Sequence, residues 1–167
     1  MERSLGKEDS AASAVPGSPA TIEPATWRDL GALRQLEQVC FPRDAWPLFD
    51  LVGVLTFPNT LRLKAVVDGQ LVGFAGVDVK RSEDVAWIAT IGVLPEYRRR
   101  GIASAMLREI EARLEVGRIR LSVRASNQTA IQLYILFGYT RYGSWPRYYN
   151  DGEDALVLEK VLGGNRL

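Results

Sequence analysis

The stretch 85-VAWIATIGVLPEYRRRGIASAML-107 decides how this chain folds. Val85 to Val93 is apolar and rich in β-branched residues, which reads as a strand. Pro95, three consecutive arginines and Gly101 follow, and then Ala103, Met106, Leu107, Ile110 and Leu114 recur on one helical face. Gly117 is expected to end that helix. A strand therefore feeds through a basic turn into a helix. The amino end of a helix carries unpaired N–H donors and a partial positive charge, so it suits a phosphate. Gly101 permits close backbone approach and small Ala103 leaves the first turn uncrowded. A solvated basic turn fits the same residues. The signatures GxxxxGKS/T and GxGxxG are absent, which argues against a P-loop or a dinucleotide site.

Working outward, composition narrows the choice. With 47% hydrophobic and 25% charged residues, the 167-residue chain has the profile of one ordinary globular domain. A net charge of +1 gives no global field to recruit nucleic acid or an anionic membrane, so neither is expected as a partner. No apolar run approaches a membrane span, and the start lacks a secretory h-region. The single cysteine, Cys40, cannot form an intramolecular disulfide, and a cytoplasmic setting is expected. There is no histidine, which removes a His-based triad, an imidazole base and a His-ligated metal; no metal site is expected.

Residues 1–20 are rich in Ser, Ala, Gly, Pro and charge and read as a flexible tail, with the folded domain over 21–162 and a short tail over 163–167. The domain opens with a short strand near Thr21. In 27-WRDLGALRQLEQVCF-41, Leu30, Leu33, Leu36 and Val39 or Cys40 fall at helical spacing, and 42-PRDAWP-47 ends that helix. A second helix is expected from Leu48 to Leu55. The runs 62–67 and 71–79 flank Asp68-Gly69, a hairpin signal, and 80-KRSED-84 turns into the strand already described. Beyond Gly117, strand 119–125 meets Ser126-Asn127, which suit a helix N-cap, and the next helix closes at Gly138. Two strands around the polar loop 150-NDGED-154 finish the chain. The order predicts an α/β domain: one mixed sheet flanked by helices.

The run 93-VLPEYRRRGIA-103 fits V-x-P-x-Y/F-R/Q-x-x-G-I/L-G/A at every position, and 123-VRASNQTAIQLYILFGY-139 fits a second pattern at the expected distance. Together they resemble the GNAT acetyltransferase superfamily. The resemblance spans roughly residues 21 to 161 and implies the GNAT fold: about seven strands, mostly antiparallel with a splayed parallel pair, and about four helices. It also implies acetyl-CoA as co-substrate. Arg98, Arg99, Arg100, Gly101, Ile102, Ala103 and Ser104 then hold the pyrophosphate. Ile91, Gly92 and Val93 meet the pantetheine arm and the thioester carbonyl, and Asn127 and Tyr134 complete the cofactor set. The segment 148-YYNDGEDALVLEK-160 and the pair Phe41-Pro42 resemble protein N-terminal acetyltransferases of the ribosomal-protein alanine type. By that likeness Phe41, Pro42, Ser122, Tyr148 and Tyr149 meet the acceptor, a peptide or protein N-terminus. The enzyme is expected to be a monomer or weak homodimer.

Mechanistically, the resemblance implies direct attack of a neutral amine on the thioester, with Tyr134 as proton donor to the departing thiolate. The base departs from the family pattern. Ser122 stands where relatives carry glutamate or histidine, and Trp87 where another carries tyrosine. Asp44, within a residue of a glutamate used by archaeal-type relatives, is the nominated base. An α-amine of pKa about 7.7 is roughly one-sixth neutral at pH 7, whereas a lysine near 10.4 is neutral in under ~0.1% of molecules. A weak base therefore suits an N-terminal acceptor better than a lysine. Two alternatives stay open on the sequence: acetylation of a small amine, and a catalytically weak acetyl-CoA-binding module.

Overall fold

A computed structural model describes residues 17–163. Most of the expected flexible tail, residues 1–16, lies outside the described residues, as do residues 164–167. The elements are β1 (Thr21–Pro24), α1 (Leu30–Cys40), α2 (Leu48–Thr56), β2 (Thr60–Val67), β3 (Gln70–Lys80), β4 (Val85–Val93), α3 (Ile102–Arg113), β5 (Arg118–Arg124), α4 (Gln128–Leu136), β6 (Thr140–Trp145) and β7 (Ala155–Val161). Three short 3-10 turns precede α1, β4 and α3. The strands form one seven-stranded sheet in the order β1-β2-β3-β4-β5-β7-β6. Only β4 and β5 run parallel, because α3 carries the chain back across the sheet between them; every other neighbour is antiparallel.

The apolar periodicities place two cores on opposite faces. On one, Met106, Leu107 and Ile110 of α3 and Ile131 and Tyr134 of α4 pack over Ile119, Leu121, Val123 and Leu158. On the other, Leu33 and Leu36 of α1 and Leu51, Val54 and Leu55 of α2 pack over Phe74 of β3. Each such aliphatic side chain, withdrawn from water, contributes about 1.5–3 kcal/mol. The expected helix over 27–41 begins as a tighter 3-10 turn at Trp27–Asp29, where the Thr26 amide donates to Asp29 Oδ2 at 2.8 Å in a capping box.

One expected boundary is wrong. Gly117 does not end α3; the helix stops at Arg113 and Leu114 turns extended (φ −85°, ψ 132°). Gly117 instead donates its N–H to Asp84 Oδ1 at 2.8 Å, tying the start of β5 to the turn before β4. Sequence spacing could not see that partner, which lies 33 residues away.

The ends of α4 match their reading. Asn127 Oδ1 accepts from the Ala130 N–H at 3.2 Å. At the other end Gly138 (φ +88°) donates to the Ile135 carbonyl at 2.9 Å and Tyr139 donates to the Tyr134 carbonyl at 3.0 Å, a Schellman closure. The Tyr134 and Tyr139 rings meet edge-on with centroids 5.6 Å apart across it. A methyl at Gly138 has room, its nearest neighbour being Lys160 Cε at 3.7 Å, so only the left-handed backbone opposes it. Gly138→Ala should therefore cost about 1 kcal/mol in urea denaturation; an unchanged midpoint would mean that the turn relaxes freely.

Candidate active site

The site begins with a register. β4 and β5 pair only from Val85–Ile88 to Arg118–Leu121. Beyond that, β4 stays bonded to β3 alone and β5 to β7 alone, so the strands diverge. The register of β3 on β4 slips at the same place: Gly76 pairs with Thr90 but Val77 pairs with Ile88, which leaves Ala89 as an extra residue. Such a bulge bends the strand and shifts which residues face which side. Before it, Trp87 faces the α1 side; after it, Thr90 and Gly92 do. Thr90 Oγ1 donates to Glu37 Oε1 at 3.0 Å. A Cβ on Gly92 would sit 3.0 Å from the Phe41 ring, so Phe41 lies directly on the β4 backbone.

The basic turn lies at the open end of β4. Arg98 Nε donates to the Val93 carbonyl at 3.0 Å, while Arg100 lies 4.9 Å from the centroid of the Tyr97 ring. Arg99 (φ +63°) and Gly101 (φ +76°) both adopt left-handed backbone. That wraps the loop around the amino end of α3, which has no side-chain cap. The amides of Ile102, Ala103 and Ser104 are thus offered to an anion, and the space beside Gly101 is open. Tyr134 projects from α4 and is buried, which pushes its hydroxyl well above the usual range and keeps it protonated; Tyr149 adds to the shift.

On the α1 side two loops meet over Arg124, at the end of β5. Its Nε and Nη2 each donate at 2.8 Å to the two oxygens of Asp44, from the turn after α1. Its Nη1 donates to Asp151 and, at 2.7 Å, to Glu153, from the β6–β7 loop. The guanidinium also lies 4.1 Å from the Tyr149 ring centroid. Glu153 accepts the Ser126 amide at 2.8 Å, and bonds to Ser126 and Arg124 hold its carboxyl down at about 2. Burial raises the Tyr149 hydroxyl, with Arg124 and Ser122 of β5 acting partly against it. Asp44 is therefore held by both oxygens, which favours an anchor over the base expected of it. Pro42 lies in the same turn and Tyr148 beside Tyr149, their rings 5.1 Å apart. Thus Phe41, Pro42, Asp44, Ser122, Tyr148 and Tyr149 gather on one face of the opening. The basic turn and Tyr134 lie on the other, and Asn127 caps α4.

Sequence reasoning missed Glu37. It is 1% exposed on the apolar face of α1, and the signal was available as an acid lodged among Leu33, Leu36 and Cys40. Burial raises its carboxyl, only partly offset by the Thr90 hydroxyl and the Trp46 amide. Through the Thr90 bond it connects α1 to β4 just past the bulge. Because the folded-state value lies above the unfolded one, the unfolded chain releases this proton first. Stability then falls as pH rises from the ordinary glutamate range through the folded value. Glu37→Gln cannot ionise, so its stability advantage over the parent should grow with pH across that window in denaturant titrations. A constant difference would overturn this assignment.

Among the described residues no group of three or more His, Cys, Asp or Glu side chains is arranged to hold a metal. Residues 30–139 match the acetyltransferase (GNAT) family. The chain is 34% identical over 149 residues to the N-alpha-acetyltransferase RimI of Mycobacterium tuberculosis, covering 87% of this chain and 94% of that protein. It is 31% identical to the L-amino acid N-acetyltransferase AaaT of Escherichia coli, covering 86% and 99%. The crystal structure of the ribosomal-protein-S18-alanine N-acetyltransferase from Escherichia coli superposes with a TM-score of 0.80 at 29% identity, over 89% of this chain and 99% of that one.

Proposed function

Because the chain belongs to the acetyltransferase (GNAT) family, we propose that it transfers the acetyl group of acetyl-CoA to the α-amine of a protein or peptide N-terminus. The observation that carries this reading is the opening between β4 and β5, approached by different machinery from its two faces. One face offers an uncapped helix terminus and an open cradle at Gly101, which fit a pyrophosphate. The other offers an aromatic, loop-walled cleft suited to an extended chain end. The likeness to two N-terminal acetyltransferases, one by sequence and one by structure, supports a peptide acceptor.

Each residue then has a task. Arg98 secures the turn on Val93, while Arg99, Arg100 and the amides of Gly101 to Ser104 face the phosphates, with Asn127 alongside. The backbone edge at Ile91, Gly92 and Val93, unpaired with β5, receives the pantetheine arm and donates to the carbonyl oxygen. Acetyl-CoA supplies the acetyl group as a thioester. The amine nitrogen bonds to the carbonyl carbon as the C–S bond breaks; the nitrogen loses one proton and the sulfur gains one. Tyr134, kept protonated by burial, hydrogen-bonds the departing sulfur. Phe41 and Pro42 shape the pocket for the first acceptor residue, and Ser122, Tyr148 and Tyr149 line its backbone. Asp44 holds the cleft wall through Arg124 more than it takes protons, which an already part-neutral α-amine tolerates. We place the reaction in the cytoplasm.

Thiol release from acetyl-CoA, measured with peptides differing only in their first residue and with free amino acids, tests the reading. Peptides should turn over faster than any free amino acid. The reverse order would favour small-amine acetylation, to which the likeness to an L-amino acid acetyltransferase points. Tyr134→Phe should lower kcat about 100-fold with acetyl-CoA affinity by calorimetry nearly unchanged; an unchanged kcat would remove Tyr134 from the reaction. Gly101→Val should abolish acetyl-CoA binding, through its left-handed backbone and its bulk in the cradle, whereas Arg99→Ala should weaken it only several-fold. Equal losses would place the grip on the side chains.

A further inference from the structure

Glu37 is 1% exposed, an acid lodged among Leu33, Leu36 and Cys40 of α1. A link from α1 to β4 needs no charge. An amide of the same shape would accept from Thr90 without the cost of burying an ionisable group. The partner that Glu37 has stands at the opening. Thr90 carries the only hydroxyl in β4 and is the first residue past the bulge to face the α1 side, on the stretch that has left β5. Its methyl lies towards β3, 3.5 Å from where a Cβ on Gly76 would stand, and its hydroxyl donates to Glu37 Oε1 at 3.0 Å. Thr90 keeps 9% of its surface exposed, so the pair runs from the edge of the opening into the sealed core.

A hydroxyl that donates one proton still has lone pairs with which to accept another. Thr90 can therefore take a proton from a group in the opening while it passes its own to Glu37. The other acids and hydroxyls nearby are engaged differently. Arg124 donates to both oxygens of Asp44, to both of Asp151 and to Glu153, whereas Glu37 accepts from a neutral hydroxyl. Ser122 and Tyr149 offer hydroxyls alone, and burial raises that of Tyr149. Burial raises the Glu37 carboxyl as well. That brings it closer to an α-amine of pKa about 7.7, a match that favours proton transfer between them.

We propose that the Thr90 hydroxyl relays the proton of the acceptor amine to the Glu37 carboxylate. Thr90 touches the amine, and Glu37 acts through it. The amine nitrogen bonds to the thioester carbon and the C–S bond breaks. The nitrogen's proton passes to Thr90 Oγ1 as the Thr90 proton passes to Glu37 Oε1. The departing thiolate takes a proton from Tyr134, and both side chains then re-equilibrate with water, Glu37 through Thr90. This inference rests on the reading of the chain as an acetyl-CoA-dependent amine acetyltransferase.

The test follows single turnovers of acetyl transfer to one peptide by the full chain, with KM for both substrates taken from the steady state. Glu37→Gln keeps the shape and the bond from Thr90 but cannot take a proton. It should slow transfer about 100-fold with both KM values nearly unchanged. Thr90→Val should lose as much, the double variant no more than either alone, and Thr90→Ser should restore most of the rate. A merely structural link predicts a near-parent rate for Glu37→Gln, or a raised KM at unchanged kcat, and either result would overturn the proposal. So would an Asp44→Asn enzyme that loses the rate while Glu37→Gln keeps it. The parent enzyme supplies a check that needs no variant. Two protons moving together make the rate fall along a curve as deuterium replaces hydrogen in the solvent; a straight-line or flat dependence would rule out the relay, whether or not the variants fold. No transfer to any amine would sink the acetyltransferase reading too, whereas a rate unmoved by Glu37→Gln removes the relay alone.

Discussion

Adjacent parallel strands normally satisfy one another's amides along their shared length, yet β4 and β5 do so only between Val85–Ile88 and Arg118–Leu121. The constraint that stops them is the extra residue at Ala89. It bends β4 away from β5 and, because side chains alternate with a period of two, exchanges the faces seen by every later residue. Thr90 and Gly92 thereby meet Glu37 and Phe41 on the α1 side, while Ile91 and Val93 join the core under α3. Unpaired strand backbone is costly when buried and useful when a ligand can pair with it. The sheet thus holds a slot open between β4 and β5.

What keeps the α1 side of the slot in shape is one cation. Arg124 bonds Asp44, Asp151 and Glu153 from two loops more than a hundred residues apart in sequence, and its guanidinium faces Tyr149. A planar fork satisfied on both edges fixes direction as well as distance. Lysine would supply the charge without the geometry. On the opposite side the basic turn works by backbone: two left-handed residues and an uncapped helix start create donors that no side chain occupies. The two faces therefore use different physics, side-chain ion pairing around Arg124 on one and uncapped helix amides on the other.

The cofactor face was legible because its devices are local. A strand, a basic turn, Gly101 and a helical stripe lie within 23 consecutive residues, and Asn127 and Gly138 mark the ends of α4 by short-range bonds. The acceptor face was legible only in part. Phe41-Pro42 and Tyr148-Tyr149 stand out as sequence, but nothing near Asp44 announces that Arg124, 80 positions later, closes on both of its oxygens. The carboxylate nominated as a base thus also accepts from Arg124 through both oxygens. Glu37 hid for the opposite reason: helical spacing put it in the apolar stripe, and its partner Thr90 belongs to a strand 53 residues on.

By itself, the sequence determined the order of strands and helices, the caps of α4 and the family likeness, because periodicity, turn chemistry and capping act over a few residues. The tertiary structure decided where β4 leaves β5, which face Thr90 and Gly92 present, that Gly117 serves a strand start instead of a helix end, and which carboxylates Arg124 consumes. Those outcomes depend on register and on partners distant in the chain, and neither has a local signature. The bulge at Ala89 sits in a run that reads as uninterrupted strand; only pairing with β3 shows that one residue there has no partner.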